Sequence, residues 1–104
     1  MTTPLDKLGR PIVVGAYIVY GHAIDRSAAL RIGRVLTIKW VDLRPWDDKS
    51  EARACRIRVQ GVDDDWAPNG PELCKPGTLM YPERTIVVPS EQVPSAIRAL
   101  LEST

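Results

Sequence analysis

Gly15 to Trp40 reads GAYIVYGHAIDRSAALRIGRVLTIKW, and this run decides the fold. Apolar residues from Ala16 to Tyr20 form one candidate strand, bounded by Gly15 and Gly21. A second runs from about Leu30 to Val41, with Gly33 near its start. Leu36, Ile38 and Trp40 alternate there with Val35, Thr37 and Lys39, which gives one more apolar face. Residues 21–29, small and charged, are expected to form the connecting loop. Glycines at strand starts and inside strands permit the sharp bending that closes a small sheet into a barrel.

Working outward, Ala52–Val62 has the clearest period of two. Cys55, Ile57, Val59 and Gly61 face one way, and Arg56, Arg58 and Gln60 the other. Residues 42–51 read as a hairpin loop. Residues 63–77, DDDWAPNGPELCKPG, read as a long irregular loop. A short strand is expected from Thr78, interrupted at Tyr81-Pro82-Glu83, and a last strand over Arg84–Val88. At the start of the chain, residues 1–4 are expected to be disordered. Asp6 and Gly9 then suit a four-residue turn, with the Asp side chain bonded to backbone and the Gly at positive φ. Pro94 opens a predicted helix over 94–102, whose Ile97, Leu100 and Leu101 form one apolar stripe and cap an open end of the barrel.

The chain of 104 residues is expected to be a single domain. There is no Phe, so its core volume comes from aliphatic residues, Trp and Tyr. Charge is uneven. Seven Lys and Arg stand against three Asp before residue 47, and seven against ten Asp and Glu from residue 47 onward. A sequence pI of about 7.8 is below that of a dedicated DNA-binding domain. No apolar run approaches the roughly 20 residues that cross a bilayer, and residues 1–11 lack a signal peptide's apolar core. The expected setting is the cytoplasm, with no membrane partner and with Cys55 and Cys74 reduced.

Gly15-x-x-Ile18-Val19, then Gly21, then Leu30-x-Ile32-Gly33-Arg34-Val35-x-x-Ile38 resembles a KOW element. Such elements lie in SH3-like barrels of ribosomal proteins and transcription elongation factors. The resemblance covers about a quarter of the chain. It implies an all-β fold: a small SH3-like antiparallel barrel of four or five strands with a short C-terminal helix. Asp6-Lys7-Leu8-Gly9-Arg10-x-Ile12-x-Val14-Gly15 and Val59-x-Gly61-Val62 also resemble small bacteriophage proteins. That implies an accessory protein acting on host machinery, in the host cytoplasm.

Catalysis finds little footing. His22 is the sole histidine, and no G-x-S-x-G elbow is present. Zinc needs four convergent ligands, whereas Cys55, Cys74 and His22 are scattered. Asp63-Asp64-Asp65 offers oxygen ligands to a hard cation, but adjacent strand residues point apart and a solvated turn accounts for them. No enzyme activity, metal or cofactor is expected.

Binding is better supported. Trp46 and Trp66 lie in acidic, Pro-containing loops, and Trp is favoured at protein contacts. Trp46, Asp63, Asp64, Asp65 and Trp66 are therefore the candidate protein-binding residues, with a host or viral protein as partner. Arg31, Arg34, Arg56 and Arg58 are the candidate nucleic-acid-binding residues, since Arg pairs phosphates through planar bidentate bonds. The protein-interaction module is the first expectation and the KOW-like nucleic-acid module the second. Imperfectly covered sheet edges also make a homodimer an expectation.

Overall fold

Along β3 (Arg53–Asp63) the alternation in the sequence becomes two faces. Cys55, Ile57 and Val59 are buried, while Arg56 and Arg58 are exposed. The computed structural model describes residues 3–24, 27–42, 53–63 and 70–103. β1 (Tyr17–Ile24) and β2 (Ser27–Asp42) pair antiparallel, and β3 follows on β2. β4 (Glu72–Leu73) and β5 (Gly77–Leu79) both lie along the far side of β3. A one-turn 3-10 helix, Pro82–Arg84, leads into β6 (Thr85–Val88), which returns beside β1. The result is a six-stranded antiparallel sheet of order β4-β3-β2-β1-β6, with β5 also on β3. Among the described residues no pairing joins β5 to β6, so the sheet stays open along that seam. A second 3-10 turn, Ser90–Gln92, precedes α1 (Ser95–Glu102). No described helix is long and apolar enough to cross a membrane.

Both faces of the sheet carry apolar clusters. Ile12, Ile18, Tyr20, Val35, Cys55, Ile57 and Val59 form the inner core, with Ile38, Trp40, Leu79 and Val87 against it. The second cluster joins Tyr17, Ile32, Val62 and Val88 of the sheet to Val93, Ile97 and Leu101. Tyr17 and Ile18 are neighbours in β1 and point oppositely, so α1 covers the face away from the inner core. The expected apolar stripe of the helix is present, but it lies on the outer face of the sheet instead of closing a barrel end. Tyr17 donates a hydrogen bond from its hydroxyl to Glu102 at 3.2 Å, fastening the last turn of the helix to β1.

Four further expectations need correction. Residues 1–4 are not disordered throughout: Pro4 is buried, and its carbonyl accepts the Ile12 N–H at 2.8 Å. Residues 21–29 are not a broad loop. Gly21, His22, Ala23 and Ile24 pair with Leu30, Ala29, Ala28 and Ser27, so both strands continue to within two residues of each other. Small residues there satisfy strand geometry as well as loop geometry, and tertiary pairing decides. Residues 63–77 are not irregular throughout. Asp63 still belongs to β3, Glu72 and Leu73 return along it, and Cys74 donates from its backbone N–H to the Gly61 carbonyl at 3.0 Å. Finally, Val35 is not on the face of Thr37 and Lys39. The register shifts between Val35 and Thr37, leaving Leu36 as an extra residue. This β-bulge sends Val35 into the core together with Ile38 and Trp40.

Close approach of strands explains Gly33. A Cβ built there meets the backbone oxygen of Gln60 at 2.9 Å and the Tyr20 ring at 3.0 Å, besides the Val59 side chain. The Gly33→Ala variant should lose about 1–3 kcal/mol, the range for overpacking a tight interior. Urea denaturation measures that loss, and an unchanged midpoint would show that the strands separate freely.

Candidate functional site

The bulge in β2 also composes the basic surface. A strict period of two running back from Lys39 would place Arg34 on the inner face. With Leu36 as the extra residue, Arg34, Thr37 and Lys39 all lie on the outer face. Across the ladder, Thr37 stands opposite Arg58 and Lys39 opposite Arg56, while Arg58 is in turn opposite Thr78 of β5. Thr37, Lys39, Arg56, Arg58 and Thr78 are all exposed. They line one shallow groove of about 190 Å³.

Among the described residues, no carboxylate forms an ion pair with Lys39, Arg56 or Arg58. Like charges side by side across a ladder repel, so the cluster gains from an anionic occupant. Arg34 lies on the same face nearer α1, its Nη2 atom 3.9 Å from where a Cβ on Gly15 would sit. Strand geometry sets the spacing. Arg56 and Arg58 are two residues apart, or roughly 6–7 Å along the strand. Lys39 is a neighbouring strand away, at roughly 5 Å.

Arg31 does not join them. It pairs with Tyr20 across β1 and β2 on the inner face, and its guanidinium lies 3.8 Å from the carboxylate of Asp63. Arg31 and Asp63 thus form a pair at the end of β3, next to the Tyr20 hydroxyl and Cys74. Burial pushes the Tyr20 hydroxyl up, with Arg31 opposing. Burial likewise pushes the Cys74 thiol up, Arg31 opposing and Asp63 adding to the rise. Cys55 rises through burial alone. Both thiols are therefore protonated near neutral pH, which makes them weak nucleophiles.

Of the other sequence candidates, Trp46, Asp64, Asp65 and Trp66 lie outside the described residues. Among the described residues no three His, Cys, Asp or Glu side chains come together as a metal site requires. Gln60, read as sharing the outer face with Arg56 and Arg58, is buried. Its amide nitrogen donates to the Cys74 carbonyl and so secures the return of residues 72–74.

A second hollow opens at the seam between β5 and β6. It has a volume of about 250 Å³, and Tyr20, Thr78, Leu79, Met80, Tyr81 and Arg84 are among the residues that line it. The Arg84 guanidinium lies over the Tyr81 ring, 4.4 Å from its centroid. Tyr81 escaped the sequence reading because its segment looked like a strand interruption, and Arg84 because it read as the first residue of the last strand, whereas it closes the 3-10 turn. The one available signal was an aromatic and an Arg flanking a Pro. Thr78 likewise joins the site only through strand pairing.

Comparison of the chain with family models, with curated proteins and with solved structures finds no match.

Proposed function

We propose that this protein is a non-catalytic binding module whose working surface is the outer face of β2, β3 and β5, and that it takes the phosphate backbone of a nucleic acid. The observation that carries this reading is the cross-strand cluster of Lys39, Arg56 and Arg58, exposed and without a carboxylate partner among the described residues. Roughly 6–7 Å between Arg56 and Arg58 is also close to the separation of successive phosphates on an extended strand. Arg34 extends the surface toward α1.

The framework fits an incompletely closed SH3-like barrel. Its meander of β1, β2, β3 and β5, the 3-10 turn at Pro82–Arg84 and the return of β6 to β1 support that description. The protein-contact reading rests on Trp46, Asp64, Asp65 and Trp66, outside the described residues, and on Asp63, which is tied to Arg31. The phosphate reading is therefore the one adopted.

Salt dependence tests it. Three phosphate contacts give log K a slope of about −2 to −3 against log salt. Affinity for a labelled oligonucleotide should fall roughly 20- to 40-fold between 50 and 200 mM salt. Fluorescence anisotropy measures this directly. A flat salt profile, or no binding at the lower salt, would sink the reading.

A further inference from the structure

The basic groove and the seam hollow meet at one residue. Thr78 lines both: β5 is only three residues long and, among the described residues, pairs with β3 alone. A ligand lying over Arg56 and Arg58 therefore has a short path across β5 into the hollow. The two halves of that path differ in chemistry. The groove is cationic and, among the described residues, carries no aromatic ring. The hollow carries two Tyr rings, Leu79 and Met80.

From this juxtaposition we infer that the preferred ligand is a single-stranded nucleic acid, with phosphates on Lys39, Arg56 and Arg58 and one unstacked base in the seam hollow on the Tyr81–Arg84 pair. The inference rests on the phosphate-binding reading and narrows it.

Size, surface and charge agree. An apolar cavity of about 150 Å³ already holds one benzene ring, so about 250 Å³ seats a single base. Tyr81 is 53% exposed although a guanidinium rests on its ring. Tyrosine rings and Arg planes are both surfaces on which unpaired bases stack. A base inside a duplex is stacked on its neighbours and does not reach such a hollow unless it is extruded. A phosphate chain also brings the negative charge that the groove lacks. An acidic peptide would satisfy the groove and leave the aromatic hollow unused.

The test uses the whole protein and four labelled probes of equal length, about 12 nucleotides: oligo-dT, oligo-U, a DNA duplex, and a strand whose bases are removed while its phosphates remain. Either single strand should bind about tenfold more tightly than the abasic strand and the duplex. The tighter of the two names DNA or RNA as the source. Tyr81→Ala should erase most of that margin by bringing the affinity of the base-bearing strand down toward that of the abasic strand. Thermal melting confirms that the variant is folded, and the abasic comparison needs no variant at all. Equal, salt-sensitive binding of single strand, abasic strand and duplex would overturn the seam site and leave the phosphate surface standing. No salt-sensitive binding of any probe would overturn both.

Discussion

Asp6→Ala should destabilise the protein by about 3 kcal/mol, as the loss of three charge-assisted bonds to a buried carboxylate predicts. The carboxylate is only 4% exposed and accepts three backbone N–H groups: Leu8 at 2.9 Å, Arg10 at 2.8 Å and Val87 at 2.7 Å. Two of these close the turn in which Gly9 takes a φ of 79°. The third lies far away in sequence. Val87 belongs to β6, which among the described residues is an edge strand whose outward N–H has no strand to bond. Lys7 donates to the Thr85 carbonyl, and the Arg10 guanidinium to the Val87 carbonyl, along the same edge. One carboxylate thus folds the N-terminal turn and protects a sheet edge from pairing with another chain. Truncation leaves the donors unpaired, whereas an exposed Asp would cost little.

The same carboxylate predicts the acid response. Burial by itself pushes the Asp6 carboxyl up, but the N–H groups of Val87, Arg10 and Leu8, with the Arg10 charge, outweigh it. They hold the group below its ordinary value. The folded state therefore favours the ionised form. Its contribution is complete above the unfolded carboxylate pKa, about 3.9. It is lost as pH falls from there through the lower folded value. Asp6→Asn is the sharper probe. With its oxygen toward Leu8 and Arg10, its amide NH2 faces the Val87 N–H, donor against donor. Urea midpoints should separate wild type from Asp6→Asn at neutral pH and converge below about pH 4. A constant difference across that range would show that the charge is immaterial.

Legibility varied with the range of the interactions involved. The Asp6–Gly9 turn, the alternation in β3 and the apolar stripe of α1 depend on residues a few positions apart, and local pattern exposes them. The Asp6 bond to Val87 depends on chain closure across 81 residues, and no local pattern carries it. The bulge at Leu36 is similar. Val35, Leu36, Thr37 and Ile38 fit either register, and only the match of Val35 to Val59 and Thr37 to Arg58 selects one. The sequence reading therefore named Arg34, Arg56 and Arg58 correctly as strand residues. It could not separate Arg31, which is on the opposite face, or bring in Thr78 and the seam hollow.

That sorting of faces makes charge reversal at Arg56 and Arg58 the decisive functional variant. Replacing both with Glu removes two cations from the centre of the outer face and adds two anions beside Lys39. Phosphate contacts dominate affinity in such an interface. Affinity for an oligonucleotide should therefore fall at least about 100-fold at low salt. Folding should survive. Both side chains are exposed, neither holds a hydrogen bond or ion pair with a described residue, and the inward positions Cys55, Ile57 and Val59 are untouched. Surface substitutions of this kind alter stability by about 0.5 kcal/mol or less. Reversal of Arg31 is the internal contrast. It breaks the pair with Asp63 on the inner face and should cost stability more than affinity. Measured side by side, an affinity loss confined to the Arg56→Glu, Arg58→Glu double variant would locate binding on the outer face. Retained affinity in that double variant would move the working surface elsewhere on the molecule.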